Sequence, residues 1–389
     1  VTGVQTCALP ISGNHFFMEK ENEMKKNIFK KVIAGAMALT MVFSMTACGG
    51  GKDSGSAAGD SGEKTKLYVV NWKDYASDDA DYVKQFEEEN NCEIVNTYMD
   101  SEEDLLTRLK TSGAGEIDVC LPNCSILPAA IKEGLLEPID TSKLTNFDSL
   151  FERFKTQEEC FGEDGKMYAV PFVWGSTGIA YNTELMPEAP SSLNVLFDES
   201  LAGKITFRDD YNDAVMVAAM VLGQDPNDPS DLEAIKEKLI EQKKLNKTYW
   251  QTGDEFSKLF AAGQVEVGLM WSGQSATMKN EGEPIGYVVP EDGAIGWVDN
   301  WGIPANSQNK DLAYKFIDFM LSKDVQYDWA ANKGGPSPAN QTVAEAIDSE
   351  YAAACGMDEE SLNRLQFMKY RTDEVKQAWN ELWTEVKAS

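Results

Sequence analysis

The chain has 389 residues, with 35 Lys and Arg against 64 Asp and Glu and a single His, a formal charge of −29. That balance argues against nucleic acid and anionic membrane surfaces as partners, because both are recognised through clustered Lys and Arg. With 42% hydrophobic and 10% aromatic residues there is ample material for a core, and at ~150 residues per domain the length predicts two domains.

The lone histidine, His15, falls in a segment expected to be absent from the working protein. Met24-Lys25-Lys26-Asn27-Ile28-Phe29-Lys30-Lys31 is basic, Val32 to Met45 is apolar but too short to span a bilayer, and small residues close the run before Cys48. That order predicts an export signal within a leader of residues 1–47. Residues 1–23 read as artefactual, the stretch Val1 to Ile11 looking like translated sequencing adaptor. Met45-Thr46-Ala47-Cys48 resembles a bacterial lipobox, which implies cleavage before Cys48 and a diacylglycerol on its sulfur. Removing the leader takes five Lys and three Glu, leaving 30 basic and 61 acidic residues, a charge of −31, and no histidine. Ser-His, Cys-His and His-metal chemistry are thereby excluded, and neither a metal nor a cofactor is expected. Beyond Cys48 the cysteines are 92, 120, 124, 160 and 355. An odd count favours mostly free thiols over a disulfide framework. Cys120-x3-Cys124 lacks the second ligand pair a zinc site needs.

After Cys48, residues 48–65 combine the anchor with a Gly, Ser, Ala and charge-rich stretch that predicts a flexible tether. From Leu67 the pattern changes. Leu67 to Val70 predicts a strand, Asp78 to Asn90 a helix, Cys92 to Tyr98 a strand and Glu102 to Thr111 a helix. Asp118 to Leu121 predicts another short strand, followed by a helix over Ser125 to Gly134. Such alternation argues for parallel βαβ units. Gly175 to Asn182 then runs extended into a second series: a strand at Lys204 to Phe207, a helix from Asp213, and strands at Glu266 to Met270 and Ile285 to Val289. Ile295 to Ile303 returns extended, and helices over Lys310 to Leu321 and Asp324 to Ala331 are expected to rejoin the first series. Two extended crossings between α/β lobes make a hinge, and hinged lobes close over ligands.

In parallel sheets, ligands sit at the carboxyl ends of strands. Those ends carry Trp72, Asp74 and Tyr75 after the first strand, Asn123 and Ser125 after the third, Asp210 and Asp213 after Phe207, and Trp271 after Met270. The returning crossing carries Trp297 and Asp299. Aromatic faces attract cations and carboxylates pair with ammonium groups, so the recurring set suits an amine with an apolar spine. Each residue also has a simpler reading. Asp210 and Asp213 could cap a helix, Trp72, Trp271 and Trp297 could be core, and Asp74 and Tyr75 could be surface loop. Trp329, Trp379 and Trp383 lie on helical stretches and read as core packing.

From Leu67 onward the sequence resembles the spermidine/putrescine-binding proteins of polyamine ABC transporters. The similarity is carried by Val70-Asn71-Trp72-Lys73-Asp74-Tyr75, Asp118-Val119-Cys120-Leu121-Pro122-Asn123, Ser142 to Phe147, Tyr168 to Gly178, Gly268-Leu269-Met270-Trp271-Ser272-Gly273 and Gly293 to Asp299. The resemblance implies an α/β, two-lobed periplasmic-binding-protein fold with hinge crossovers and a ligand cleft between lobes. It assigns Trp72, Tyr75, Trp271 and Trp297 to walls along a polyamine chain, and Asp210, Asp213 and Asp299 to its amines, with Asp74 in the place of a family acid. Asn123 and Ser125 stand where the family often has Ser and Tyr. Gly335, before Pro336-Ser337-Pro338, stands where a family Tyr is expected, and a family Gln has no counterpart near Lys369-Tyr370.

The expected arrangement is lobe 1 over 66–176 with 301–350, and lobe 2 over 177–300 with 351–389. The expected function is non-enzymatic capture of spermidine or putrescine by a lipid-anchored, extracytoplasmic monomer that delivers it to ABC permease subunits. A carrier of a sugar or another small cationic amine is the alternative within binding proteins. A glycosidase using paired carboxylates is remote, because Asp210 and Asp213 lie on one side of a helix start rather than across a scissile bond.

Overall fold

The computed structural model describes residues 64–73 and 75–389. The leader, Cys48, most of the tether and Asp74 lie outside the described residues. Eleven strands form one sheet among them: β1 (Thr65–Asn71), β2 (Cys92–Tyr98), β3 (Val119–Cys120), β4 (Ala169–Asn182), β5 (Ile205–Arg208), β6 (Asn246–Trp250), β7 (Val267–Trp271), β8 (Ile285–Val288), β9 (Ala294–Gly302), β10 (Ser337–Pro338) and β11 (Leu365–Phe367). The path β2-β1-β3-β9-β4-β7-β5-β6 has a parallel trio at each end. Between the trios lie two long antiparallel strands, β4 and β9, in register from Ala169↔Gly302 to Thr177↔Ile295. These are the two extended crossings, hydrogen-bonded to each other over their length. A bulge between Pro171 and Val173 interrupts the ladder once, as expected where a strand must bend.

Packing follows the sheet. The helices Lys310–Met320 and Lys323–Asn332 return to the β1 side, where Phe316 meets Phe86 and Trp301 edge-on and Trp329 stacks on Phe172. On the β5 side, the helix Tyr211–Val221 is buried along most of its length. Trp379, Trp383 and Val386 of the C-terminal helix Asp373–Ala388 join the same apolar cluster. Cys92, Cys120, Cys124, Cys160 and Cys355 are buried free thiols.

Three elements differ from expectation. β3 is two residues long, Val119–Cys120, although the Asp118 N–H still donates to the Tyr68 carbonyl at 2.8 Å; the Asp118 carboxylate ties this strand start to its neighbours, accepting from the Tyr68 N–H at 3.1 Å, the Ser307 hydroxyl at 2.8 Å and Asn309 Nδ2 at 3.0 Å. The helix expected from Ser125 begins at Leu127, since the Ser125 N–H donates to Asn123 Oδ1 at 3.0 Å. The helix expected from Asp213 begins at Tyr211, because Asp210 caps it, accepting from the N–H groups of Asn212 at 2.8 Å and Asp213 at 3.1 Å.

Candidate functional site

β4 carries the site's geometry without contributing a charge to it. Val173 pairs with Asp299 on one flank and Thr177 pairs with Trp271 on the other. Four residues of strand separate those two positions, roughly 13 Å at ~3.3 Å per residue. Of the predicted residues that are described, Tyr75, Asn123 and Asp299 gather at the first place and Asp210, Asp213 and Trp271 at the second, leaving Ser125, Trp72 and Trp297 beside them.

The first group is built around Asp299, which is 5% exposed. Its Oδ2 accepts from the Tyr75 hydroxyl at 2.5 Å and its Oδ1 from Asn123 Nδ2 at 2.8 Å. Backbone bonds fix that meeting: the Asn300 N–H donates to the Pro122 carbonyl at 3.0 Å and the Cys124 N–H to the Val298 carbonyl at 2.9 Å. Tyr75 is held from the other side by Asn71, fully buried, whose Nδ2 donates to the Tyr75 carbonyl at 2.7 Å and to Ser77 Oγ at 2.6 Å. Between them, Ala76 takes a left-handed conformation, φ 49°, a strain of about 1–2 kcal/mol for a residue with a Cβ. Burial pushes the Asp299 carboxyl up to about 6, against the lowering effect of its two hydrogen bonds.

Sequence reasoning missed Glu102. Ser101 caps the helix Glu102–Thr111, and three acids in its first turn read simply as complements to the helix dipole. Yet Glu102 Oε2 accepts from the Asn123 N–H at 3.0 Å. Asn123 therefore holds two carboxyls, one by its side chain and one by its backbone. Burial, and secondarily the Asp299 charge, lift the Glu102 carboxyl well above the usual range, and burial does most to raise the Tyr75 phenol, with Asp299 adding to it.

The second group lies at the ends of β5 and β7. Asp213 is 3% exposed, and burial raises its carboxyl to about 7 in spite of a neighbouring guanidinium. That guanidinium is Arg208, at the end of β5, which the sequence reading passed over. Its Nη1 lies 3.3 Å from Asp213 Oδ2 and 3.7 Å from Asp210 Oδ2, and its Cζ sits 4.8 Å over the Trp271 ring. Trp271 is braced edge-on by buried Trp250, centroids 5.1 Å apart. A second cation, Arg371, also acts on both aspartates and is 6% exposed; burial lowers it to about 10.

The remaining residues take other positions. Ser125 does not reach Asp299; it lines a small cavity with Glu103, Tyr211, Asn212, Arg371 and Lys376. Trp297 is half-buried and lies flat against the backbone of Gly175, its partner in the ladder, where a Cβ would come within 2.2 Å of the indole. Trp72 is half-buried against the first core. At Gly335 a Cβ would meet the Trp329 ring at 2.6 Å. Trp329 also packs edge-on against Tyr75, centroids 4.8 Å apart, so this core residue supplies aromatic surface at the very place where Gly335 withholds it.

Comparison with known proteins places this geometry in context. A family model described as bacterial extracellular solute-binding protein matches residues 81–358. The spermidine/putrescine-binding periplasmic protein of Escherichia coli (strain K12) is 30% identical over 332 residues, 85% of this chain and 89% of that protein. A putrescine/cadaverine-binding protein of Pseudomonas aeruginosa is 29% identical over 341 residues, 83% of this chain and 93% of the relative. Among solved structures, the spermidine/putrescine ABC transporter substrate-binding protein PotD of Streptococcus pneumoniae superposes with a TM-score of 0.73 at 27% identity, covering 84% of this chain and 99% of that one.

Proposed function

The chain belongs to the family of bacterial extracellular solute-binding proteins, and from that premise we propose that it captures a polyamine, spermidine or putrescine, for an ABC importer. The observation that carries the reading is the Asp299 group. A buried carboxylate with a raised proton affinity, held rigid by Tyr75 and Asn123 and reinforced by Glu102, is an ammonium receptor in waiting: a cation beside it restores the charge balance that burial withholds. Trp72, Trp271 and Trp297 then wall the methylene chain and face its charges. Asp74, in the place of a family acid, is a further candidate for an amine, and Asp210 and Asp213 are the acids at the other end. Ser125 lines the approach.

The proposed lobes are 66–176 with 301–350 and 177–300 with 351–389, closing about β4 and β9. Closure excludes water from the ammonium–carboxylate pairs and strengthens them. No reaction is required of these residues, and the protein acts as a carrier rather than an enzyme. The relatives' periplasmic location supports an extracytoplasmic site of action. The leader and Cys48 add a lipid anchor on the outer face of the cell membrane, and the partners are the permease subunits.

Titration calorimetry on the chain from Cys48 onward, with Cys48 replaced by Ser, tests the reading. Saturable binding of spermidine or putrescine is expected, lost in Trp271→Ala and Asp299→Asn. Unchanged affinity in both variants would overturn the site, and binding of sugars with no response to amines would overturn the ligand class.

A further inference from the structure

The two acid pairs of the cleft hold unlike partners. Asp299 and Glu102 are met by a phenol, a carboxamide and a backbone N–H, and among the described residues no Lys or Arg forms an ion pair with either. The nearby Lys376 is paired with Glu103 at 3.2 Å. Asp213 and Asp210, by contrast, already have Arg208 between them and the Trp271 face beneath it. A carboxylate pair with an indole wall is what an alkylammonium group seeks, by charge-assisted bonding and cation–π attraction, and here a guanidinium of the chain itself makes both contacts. Arg371 adds a second positive charge acting on the same aspartates. The second acid pair is thus met by a guanidinium in direct contact, while on the first only the more distant charge of Lys376 acts, on Glu102.

We infer that Arg208 competes with a ligand ammonium for the Asp210–Asp213 pair and so sets how much the protein gains from a second amine. This inference rests on the amine-binding reading. The first ammonium binds at Asp299 and Glu102 with full effect. A second must displace the guanidinium from its acids and its indole, so its net contribution is only the difference between two similar cations. Arg208 is not a spare surface charge that happens to sit nearby: its side chain is 29% exposed and the side chain of Asp213 4%, so exchange there involves partly desolvated groups, where pairing counts most.

The test is the affinity ratio of putrescine to n-butylamine, the same chain with one amine removed, measured by calorimetry at fixed ionic strength. In the wild-type protein the ratio is expected to stay below roughly tenfold, less than one full charge-assisted bond contributes. In Arg208→Gln it is expected to rise by at least roughly tenfold, as the freed acids take the second ammonium. Arg208→Lys, which keeps a cation, should remain near the wild-type ratio. The double variant Arg208→Gln/Asp213→Asn should lose the gain, because the acid the amine would use is gone. A wild-type ratio of a hundredfold or more overturns the inference without recourse to any variant. So does an unchanged or smaller ratio in an Arg208→Gln protein that melts cooperatively. If wild type binds the diamine and only the ratios disagree, the amine reading stands and the role of Arg208 falls; if no protein in the set binds any amine, both fall.

Discussion

Burial lifts the proton affinity of both Asp299 and Asp213, yet the two carboxyls are provided for in opposite ways. Asp299 is surrounded by neutral donors that orient it and leave its charge uncompensated. Asp213 has its charge balanced by Arg208 and Arg371 and its neighbour Asp210 committed to a helix end. Orientation without neutralisation suits a group that awaits a cation from outside. Neutralisation from within suits a group that stabilises the fold or moderates what the ligand gains. Two acid pairs that a sequence reading treats as equivalent therefore have different standing in energy.

The largest effect expected from that contrast is at Asp299. Asp299→Asn removes the charge and keeps the shape, and losing one partner of a buried charged pair costs about 2–5 kcal/mol of binding, roughly thirtyfold or more in affinity. The same change should raise thermal stability at pH 8. A carboxyl whose folded value lies near 6 rather than 3.8 binds its proton more tightly in the folded chain than in the unfolded one, so ionising it works against folding. Melting curves should show the variant more stable than wild type by roughly 1–3 kcal/mol. If the variant binds amines as wild type does, the contrast between the pairs is wrong at its stronger end.

Next in size is the response to pH. An ammonium pairs with ionised carboxylates, so affinity should fall as pH drops from 8 to 5 through the value near 6 for Asp299, with Asp213, also raised by burial, contributing less because Arg208 already holds it. Stability should move the other way. The folded chain holds these protons more tightly than the unfolded chain does, so between about 4 and 7 these two groups make the ligand-free protein less stable as pH rises. Calorimetry and melting curves across that range give the two slopes. In Asp299→Asn the part centred near pH 6 should vanish from both.

What could be read in advance follows from how local each signal is. The alternation of strands and helices and the two crossings are written in short-range periodicity and Gly-flanked extended runs, and β2 and the helix Glu102–Thr111 lie where that pattern puts them. The candidate site is not local. Tyr75 and Asn123 stand 224 and 176 residues from Asp299, and no spacing rule joins such positions; the strand-end rule and the resemblance to a family brought them to one cleft, and neither showed that they share one hydrogen-bonded group. Glu102 and Arg208 escaped for a related reason. Each has a sufficient local explanation, a helix first turn and a strand end, and the sheet order alone shows the second use. Trp329 was assigned to the core and is there, yet it also packs edge-on with Tyr75.

A smaller effect is expected at Gly175. Its Cα hydrogen faces the Trp297 ring at a distance that admits no side chain, so Gly175→Ala must move the indole or the strand. Either shift spoils a wall of the proposed ligand channel while leaving the charges in place. We expect affinity to fall by several-fold to about tenfold, the scale of one cation–π or stacking contact, with the pH profile unchanged. Indole fluorescence should report the displacement. An affinity loss that matched Asp299→Asn would mean that the aromatic wall, not the uncompensated acid, carries the binding.

The smallest effect tests the quieter pair. Asp210 accepts two backbone N–H groups at the start of the helix Tyr211–Val221, and replacing such a cap by Ala costs about 1 kcal/mol of stability. Ser can make the same cap without the charge, so Asp210→Ser should cost much less. If Asp210 is mainly a cap whose charge Arg208 already balances, amine affinity in Asp210→Ser should stay within about threefold of wild type, well under the effect of a buried charged partner. A tenfold loss in Asp210→Ser with normal melting would show that Asp210 meets the ligand directly, and the two acid pairs would then be alike after all.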